Sequence, residues 1–141
     1  MLASYPACFF KEDNGYSVVF PDLNYLATCG ETQDEAMAMA IDALAGYIFT
    51  CKQDKEKIPQ PSALPDIDID TVNDELEGGD YEGFVTLVAV DVEEYARAHF
   101  EKSVKKTLTI PAWLNTAALE HNLNFSQVLQ DALKQQLHMQ Q

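Results

Sequence analysis

KKTLTIPAWLNTAALEHNLNFSQVLQDALKQQLHMQQ, residues 105–141, carries the pattern that decides how this chain is built. Its first six residues, Lys105 to Ile110, alternate polar and apolar, the period of a strand with one buried face. Pro111 stops that strand and suits the opening of a helix, where a missing N–H leaves no bond unmade. A second helix is expected from Asn124, with Phe125, Val128, Leu129, Ala132, Leu133 and Leu137 at spacings of three and four forming one apolar stripe. A piece this small cannot enclose a core, and its single strand has no pairing partner within it. A second copy removes both deficits, because the two strands pair into a ribbon and four helices pack beneath it. Residues 105–141 are therefore expected to form a dimeric DNA-binding module.

In such a ribbon Leu108 and Ile110 turn inward onto the helices, while Lys105, Thr107 and Thr109 turn outward. A two-stranded ribbon fits the DNA major groove, where lysine can donate to guanine and threonine can meet a thymine methyl. Asn124 and Ser126 stand at the start of the second helix, whose free N–H groups and partial positive charge suit a phosphate. Both are also ordinary helix-capping residues. A dimerisation arm that never touches DNA is the plainer alternative.

The net charge of −14 argues against nucleic acid until it is divided along the chain. Residues 1–101 hold 21 acidic against 5 basic side chains, a net of −16, whereas residues 102–141 hold 2 against 4, a net of +2. DNA repels the first part and tolerates the second. The acidic part suits a basic partner, and also suits plain solubility. A hydrophobic share of 47% is that of a folded chain. No apolar run approaches membrane length, and the start MLASYPACFF lacks the basic flank of a signal peptide, so a cytoplasmic protein with no membrane contact is expected. Cys8, Cys29 and Cys51 are odd in number and form no C-x-x-C pair, which reads as buried reduced thiols.

Upstream of the tail the pattern is that of an α+β domain over residues 1–92, β-β-β-α-β with one main helix. Tyr5–Phe10 and Tyr16–Phe20 are strands around Asn14-Gly15, a strong hairpin signal. Leu26–Cys29 is a third strand, closed by Gly30. Thr32 and Glu35 have the spacing of a capping box, and the alanine-rich helix they open should run to Cys51 or Lys52. Its apolar residues leave little polar face, so it should be buried on both sides or covered by something else. Lys52–Glu82, with Pro59, Pro61 and Pro65, reads as an irregular connection. Gly83–Val92 is a fourth strand, and residues 93–104 read as a helical linker, helix from Glu93 to Lys102.

Catalytic chemistry is not supported. Asp66, Asp68, Asp70, Asp74 and Glu77 match positions 1, 3, 5, 9 and 12 of a calcium loop, but Thr71 occupies the position that needs glycine. Asp13, Asp22 and Asp91 stand at turns and strand ends, where aspartate serves the backbone. His99, His121 and His138 are scattered, so no nucleophile–base set can be argued. The expectation is a binding protein with no enzyme activity, metal or cofactor.

Gly15-Tyr16-Ser17-Val18-Val19-Phe20-Pro21-Asp22-Leu23, then Thr28-Cys29-Gly30-Glu31-Thr32 and Glu35-Ala36, resemble the HicB family of antitoxins, partners of the small HicA RNA-cleaving toxins. Ile58-Pro59-x-Pro61-Ser62, the Phe84–Asp91 strand with Glu94-Tyr95, and Thr107–Leu137 continue the likeness in the family's order. The likeness implies a truncated ribonuclease-H-like body without that fold's catalytic carboxylates, covering the active-site histidine of a HicA-type toxin. It also implies that residues 105–141 are the C-terminal ribbon-helix-helix dimerisation domain found in one branch of the family, binding operator DNA of its own operon as a homodimer or a higher oligomer with toxin. Where relatives often carry a Pro-Gly-Cys-like turn, this chain has Asn24-Tyr25-Leu26. Candidate toxin contacts are Pro21, Asp22, Asn24 and Tyr25, with the acidic run Asp66, Asp68, Asp70 and onward to Glu82. The competing class is a stand-alone dimeric repressor with a ligand-sensing body, and a nuclease is the third.

Overall fold

Two apolar strands separated by Asp13-Asn14 must fold back on each other. In the computed structural model, which describes residues 1–101 and 103–139, they do so as β1 (Leu2–Glu12) and β2 (Gly15–Phe20). Gly15 sits at φ 134°, and a Cβ there would come within 2.1 Å of the Gly30 carbonyl oxygen, so only glycine lets this turn close. β3 (Leu26–Gly30) pairs with β2, and β4 (Gly83–Asp91) pairs with β1. The sheet order is β3-β2-β1-β4, with every neighbouring pair antiparallel.

The long helix α1 (Gln33–Gln53) crosses one face of the sheet. Its Thr32 cap accepts from the Glu35 amide at 3.0 Å, and the Glu35 carboxylate accepts from the Glu31 amide at 3.0 Å. The reach back thus ends one residue before the cap. Ala36, Ala40, Leu44, Ala45, Ile48 and Cys51 form its buried stripe against Ala3, Tyr5, Ala7 and Phe9 of β1 and Val88 and Val90 of β4. Each large side chain buried here contributes about 1.5–3 kcal/mol. Met39, on the far side, is 41% exposed, so the all-round apolar helix is covered on one face and flanked, not enclosed. The flank is α3 (Val92–His99): Phe49 stands 5.5 Å from Phe100, and the Tyr95 hydroxyl donates to Asp42 at 2.9 Å. Burial, then the Asp42 hydrogen bond, pushes the Tyr95 phenol upward. α3 therefore belongs to the body. Lys102, the expected end of that helix, lies outside the described residues, as do Gln140 and Gln141.

The segment 52–82 is not simply irregular. A short turn, Leu64–Asp66, and a helix, α2 (Ile69–Glu75), cover part of the second face of the sheet. Ile67, Ile69 and Val72 pack there on Cys8, Phe10, Val19 and Val85. Seven residues rich in aspartate hide a helix whose apolar contacts are few, which is why periodicity did not reveal it. Cys29 also departs from expectation. It is exposed, while Cys8 and Cys51 are buried, because alternation along β3 turns it to the open face. Burial pushes the Cys8 thiol up to about 11.

The chain divides into two compact units, Met1–Lys102 and Ser103–Gln141. In the second, α4 (Ala112–Glu120) and α5 (Phe125–Gln136) are present, but residues 103–111 form no strand. A ladder needs a second strand to receive its hydrogen bonds, and a single chain offers none here.

Candidate partner-binding surface and nucleic-acid face

β2 ends in one tight turn, Pro21–Leu23, with Leu23 fully buried. Asn24 and Tyr25 follow at φ 56° and 59°. Asparagine tolerates this left-handed backbone, while tyrosine is held there at some strain. Three contacts fix the turn. The Asp22 carboxylate accepts from the Ser62 amide and hydroxyl, both at 2.8 Å. The Asn24 side-chain amide donates to the Tyr47 hydroxyl at 2.9 Å, and the Tyr25 hydroxyl donates to Glu75 on α2. The proline segment is itself pinned where the Tyr5 hydroxyl donates to the Pro59 carbonyl. Asp22 is thus half-buried and engaged within the body, whereas Asn24 and Tyr25 are exposed.

The acidic run divides in the same way. Asp66 is exposed in the short turn before α2. Asp68 caps α2, accepting from the Asp70 amide at 3.0 Å and the Thr71 hydroxyl at 2.9 Å. Asp70 accepts from the Tyr81 hydroxyl, and that bond, with burial and the neighbouring Asp68 and Asp74, pushes the Tyr81 phenol up to about 12. Because α2 runs through the middle of the calcium-like window, the window is not an open loop that could wrap an ion. Among the described residues, no three His, Cys, Asp or Glu side chains form a group fit to hold a metal ion.

Both candidate regions are brought side by side through Tyr25 and Glu75, fifty residues apart. The result is one surface, the Pro21–Tyr25 turn next to an exposed acidic helix. Sequence reading missed α2 and the contacts that Tyr81, Glu75 and Ser62 make. The signals it could have used were Asp68 as a cap and the spacing of Ile69 and Val72.

In the tail, Lys105, Thr107 and Thr109 are exposed, and so are Leu108 at 57% and Ile110 at 44%. Asn124 caps α5, accepting from the Gln127 amide at 3.0 Å, and Ser126 accepts from the Gln130 side chain at 3.2 Å one turn on. No residue of α5 is buried, and Ala118 is the buried apolar residue of the unit among those described. Trp113, Leu119, Phe125, Val128, Leu133 and Leu137 are all exposed. Such a surface is unstable in water without a cover. Among the described residues, no helix is long and apolar enough to cross a membrane.

Residues 5–133 match the family described as HicB-like antitoxin of bacterial toxin-antitoxin system. Antitoxin HicB 2 of Photorhabdus laumondii is 41% identical over 58 residues, 41% of this chain and 42% of that protein. The chain thus spans less than half the length of that curated relative. An uncharacterized 14.9 kDa protein from the rep-hol intergenic region of Haemophilus phage HP1 is 30% identical over 111 residues, 78% of this chain and 74% of that one. Among solved structures, a chain of a toxin–antitoxin complex from Streptococcus pneumoniae is 36% identical, with a TM-score of 0.64, over 96% of this chain and 99% of that chain.

Proposed function

This chain belongs to the HicB-like antitoxins of bacterial toxin–antitoxin systems, and we propose that its body neutralises a small basic HicA-type toxin by covering the active site. The carrying observation is the single surface formed by the Pro21–Tyr25 turn and α2, with Asn24, Tyr25, Asp66, Asp70 and Asp74 exposed on a body of net charge −16. Opposite charge steers a basic ribonuclease to such a surface, and Tyr25 and Tyr81 hold the acidic helix in place for it. Asp22 and Asp68 act from within, one fixing the turn through Ser62 and the other capping α2. The chain works by binding and not by catalysis. In finer terms the β3-β2-β1-β4 sheet with α1 is read as a truncated ribonuclease-H-like unit.

The test is inhibition of toxin RNA cleavage by the chain and by a variant with Asp66, Asp70 and Asp74 changed to asparagine, across a salt series. Inhibition should weaken with both salt and neutralisation. Insensitivity to both refutes electrostatic masking.

The second half of the proposal is that two tails pair at Lys105–Ile110 and set Thr107 and Thr109 in the major groove of operator DNA, repressing the operon. Support comes from the uncovered stripe on α5 and the capped N-terminus at Asn124, with Ser126 in its first turn. A Thr107→Ala/Thr109→Ala double variant should keep its dimer and lose preference for operator over random DNA in a shift assay. Retained preference rejects the groove assignment. The repressor with a ligand-sensing body has less support. The cleft of about 610 Å³ at the hairpin end, beside Asn14, Tyr16 and Cys29, carries the four carboxylates of Glu12, Asp13, Glu31 and Glu35, which repel an anionic metabolite.

A further inference from the structure

We propose that the free edge of β4 is a second self-association surface, on which the β4 strand of another copy adds antiparallel. β4 pairs with β1 without interruption from Leu2 opposite Asp91 to Phe10 opposite Gly83, so it is long and regular. Its other edge faces no strand among the described residues. Soluble proteins guard such edges with charges, prolines, bulges or short length. The opposite edge of this sheet, β3, is short at five residues. Before its terminal Asp91, β4 has none of these guards. From Gly83 to Val90 it carries no charged residue and no proline, and Phe84 and Leu87 are 38% and 48% exposed.

Charge selects the occupant. A basic partner finds no carboxylate on this edge between Gly83 and Val90, whereas a copy of the same strand meets no repulsion there on a body otherwise crowded with acid. A two-fold axis at Leu87 gives a register free of conflict. Leu87 meets the partner's Leu87, Phe84 meets the partner's Val90, and Val85 meets the partner's Ala89. Asp91 then faces the partner's Gly83, and no carboxylate opposes another. One strand pair is a small interface and weak alone. Tail pairing would raise its occupancy through effective concentration, on the order of millimolar. The proposal rests on neither the toxin nor the DNA reading.

The test uses the full chain in a Cys29→Ser background, because Cys29 is exposed while Cys8 and Cys51 are buried. Leu87→Cys is oxidised with diamide beside a control, Asp74→Cys, on the exposed side of α2. The Leu87→Cys chain should form a disulfide-linked dimer roughly tenfold faster than the control, as expected for a populated encounter. It should still do so, at raised protein concentration, when Leu129→Asp is added to break the tail, which separates this contact from that one. Leu87→Lys should remove the largest species from a sedimentation velocity profile of the chain. Crosslinking no faster than the control overturns the proposal. So does finding that the free chain fails to crosslink while purified toxin shields Leu87→Cys from alkylation, which would give the edge to a different protein.

Discussion

Asp22→Ala removes the acceptor that joins the β2 turn to the proline segment. Two donors, the Ser62 amide and hydroxyl, lose partners at 2.8 Å, both in a half-buried setting. A hydrogen bond to a charged group contributes about 1.5–3 kcal/mol when buried. Partial exposure lets water replace part of each, so the pair together is worth about 2 kcal/mol. For a body of this size that lowers Tm by about 10 °C. Asp22→Asn keeps one acceptor oxygen and should fall between Asp22→Ala and the native chain. The assay is urea unfolding followed by circular dichroism, with hydrogen exchange at the Ser62 amide as the local readout. Loss of stability and faster exchange at Ser62 are expected together. If Asp22→Ala unfolds within about 0.5 kcal/mol of the native chain, the range of an ordinary surface change, the reasoning that this contact organises the turn is wrong.

Ile48→Ala opens a cavity beneath α1 at a fully buried site and should cost about 2–5 kcal/mol by the same unfolding assay. Glu93 is held at about 2, below its ordinary 4.5, by the hydrogen bond from Lys52 and then by that from the terminal ammonium. Its contribution is complete above pH 4.5 and is lost as pH falls toward about 2, so Glu93→Gln should flatten the acid limb of Tm against pH in that window. An acid limb as steep as the native one contradicts the pairing. Leu129→Asp sets a charge in the α5 stripe and should dissociate the tail dimer in sedimentation velocity, an outcome that an intact dimer refutes.

Local chemistry made much of the body legible. Asn14-Gly15 located the hairpin because a tight turn there needs a residue free of Cβ, and Thr32 with Glu35 located the start of α1 because their side chains satisfy exposed amides. The apolar run 83–92 became β4 almost residue for residue. Contacts between distant residues left no such trace. The Asp22–Ser62 bond spans forty residues, and nothing in either neighbourhood announces the other. α2 was hidden because seven residues give too little periodicity, and its carboxylates suggested a solvated loop. The candidate surface was therefore half visible. Its two acidic and turn segments could be named, but their meeting through Tyr25 and Glu75 is a fact of the fold. In the tail, the cap at Asn124 and the helices were readable, while the strand expected at 105–110 is absent from a single chain, which offers it no pairing partner.

The mass of the intact chain in solution bears most directly on the division between an acidic, partner-binding body and a tail completed by its twin. Sedimentation equilibrium at micromolar concentration should give twice the 15.7 kDa of one chain, or a larger even multiple. A species of 15.7 kDa with a stably folded tail would contradict the account, because the stripe on α5 would then stand in water uncovered.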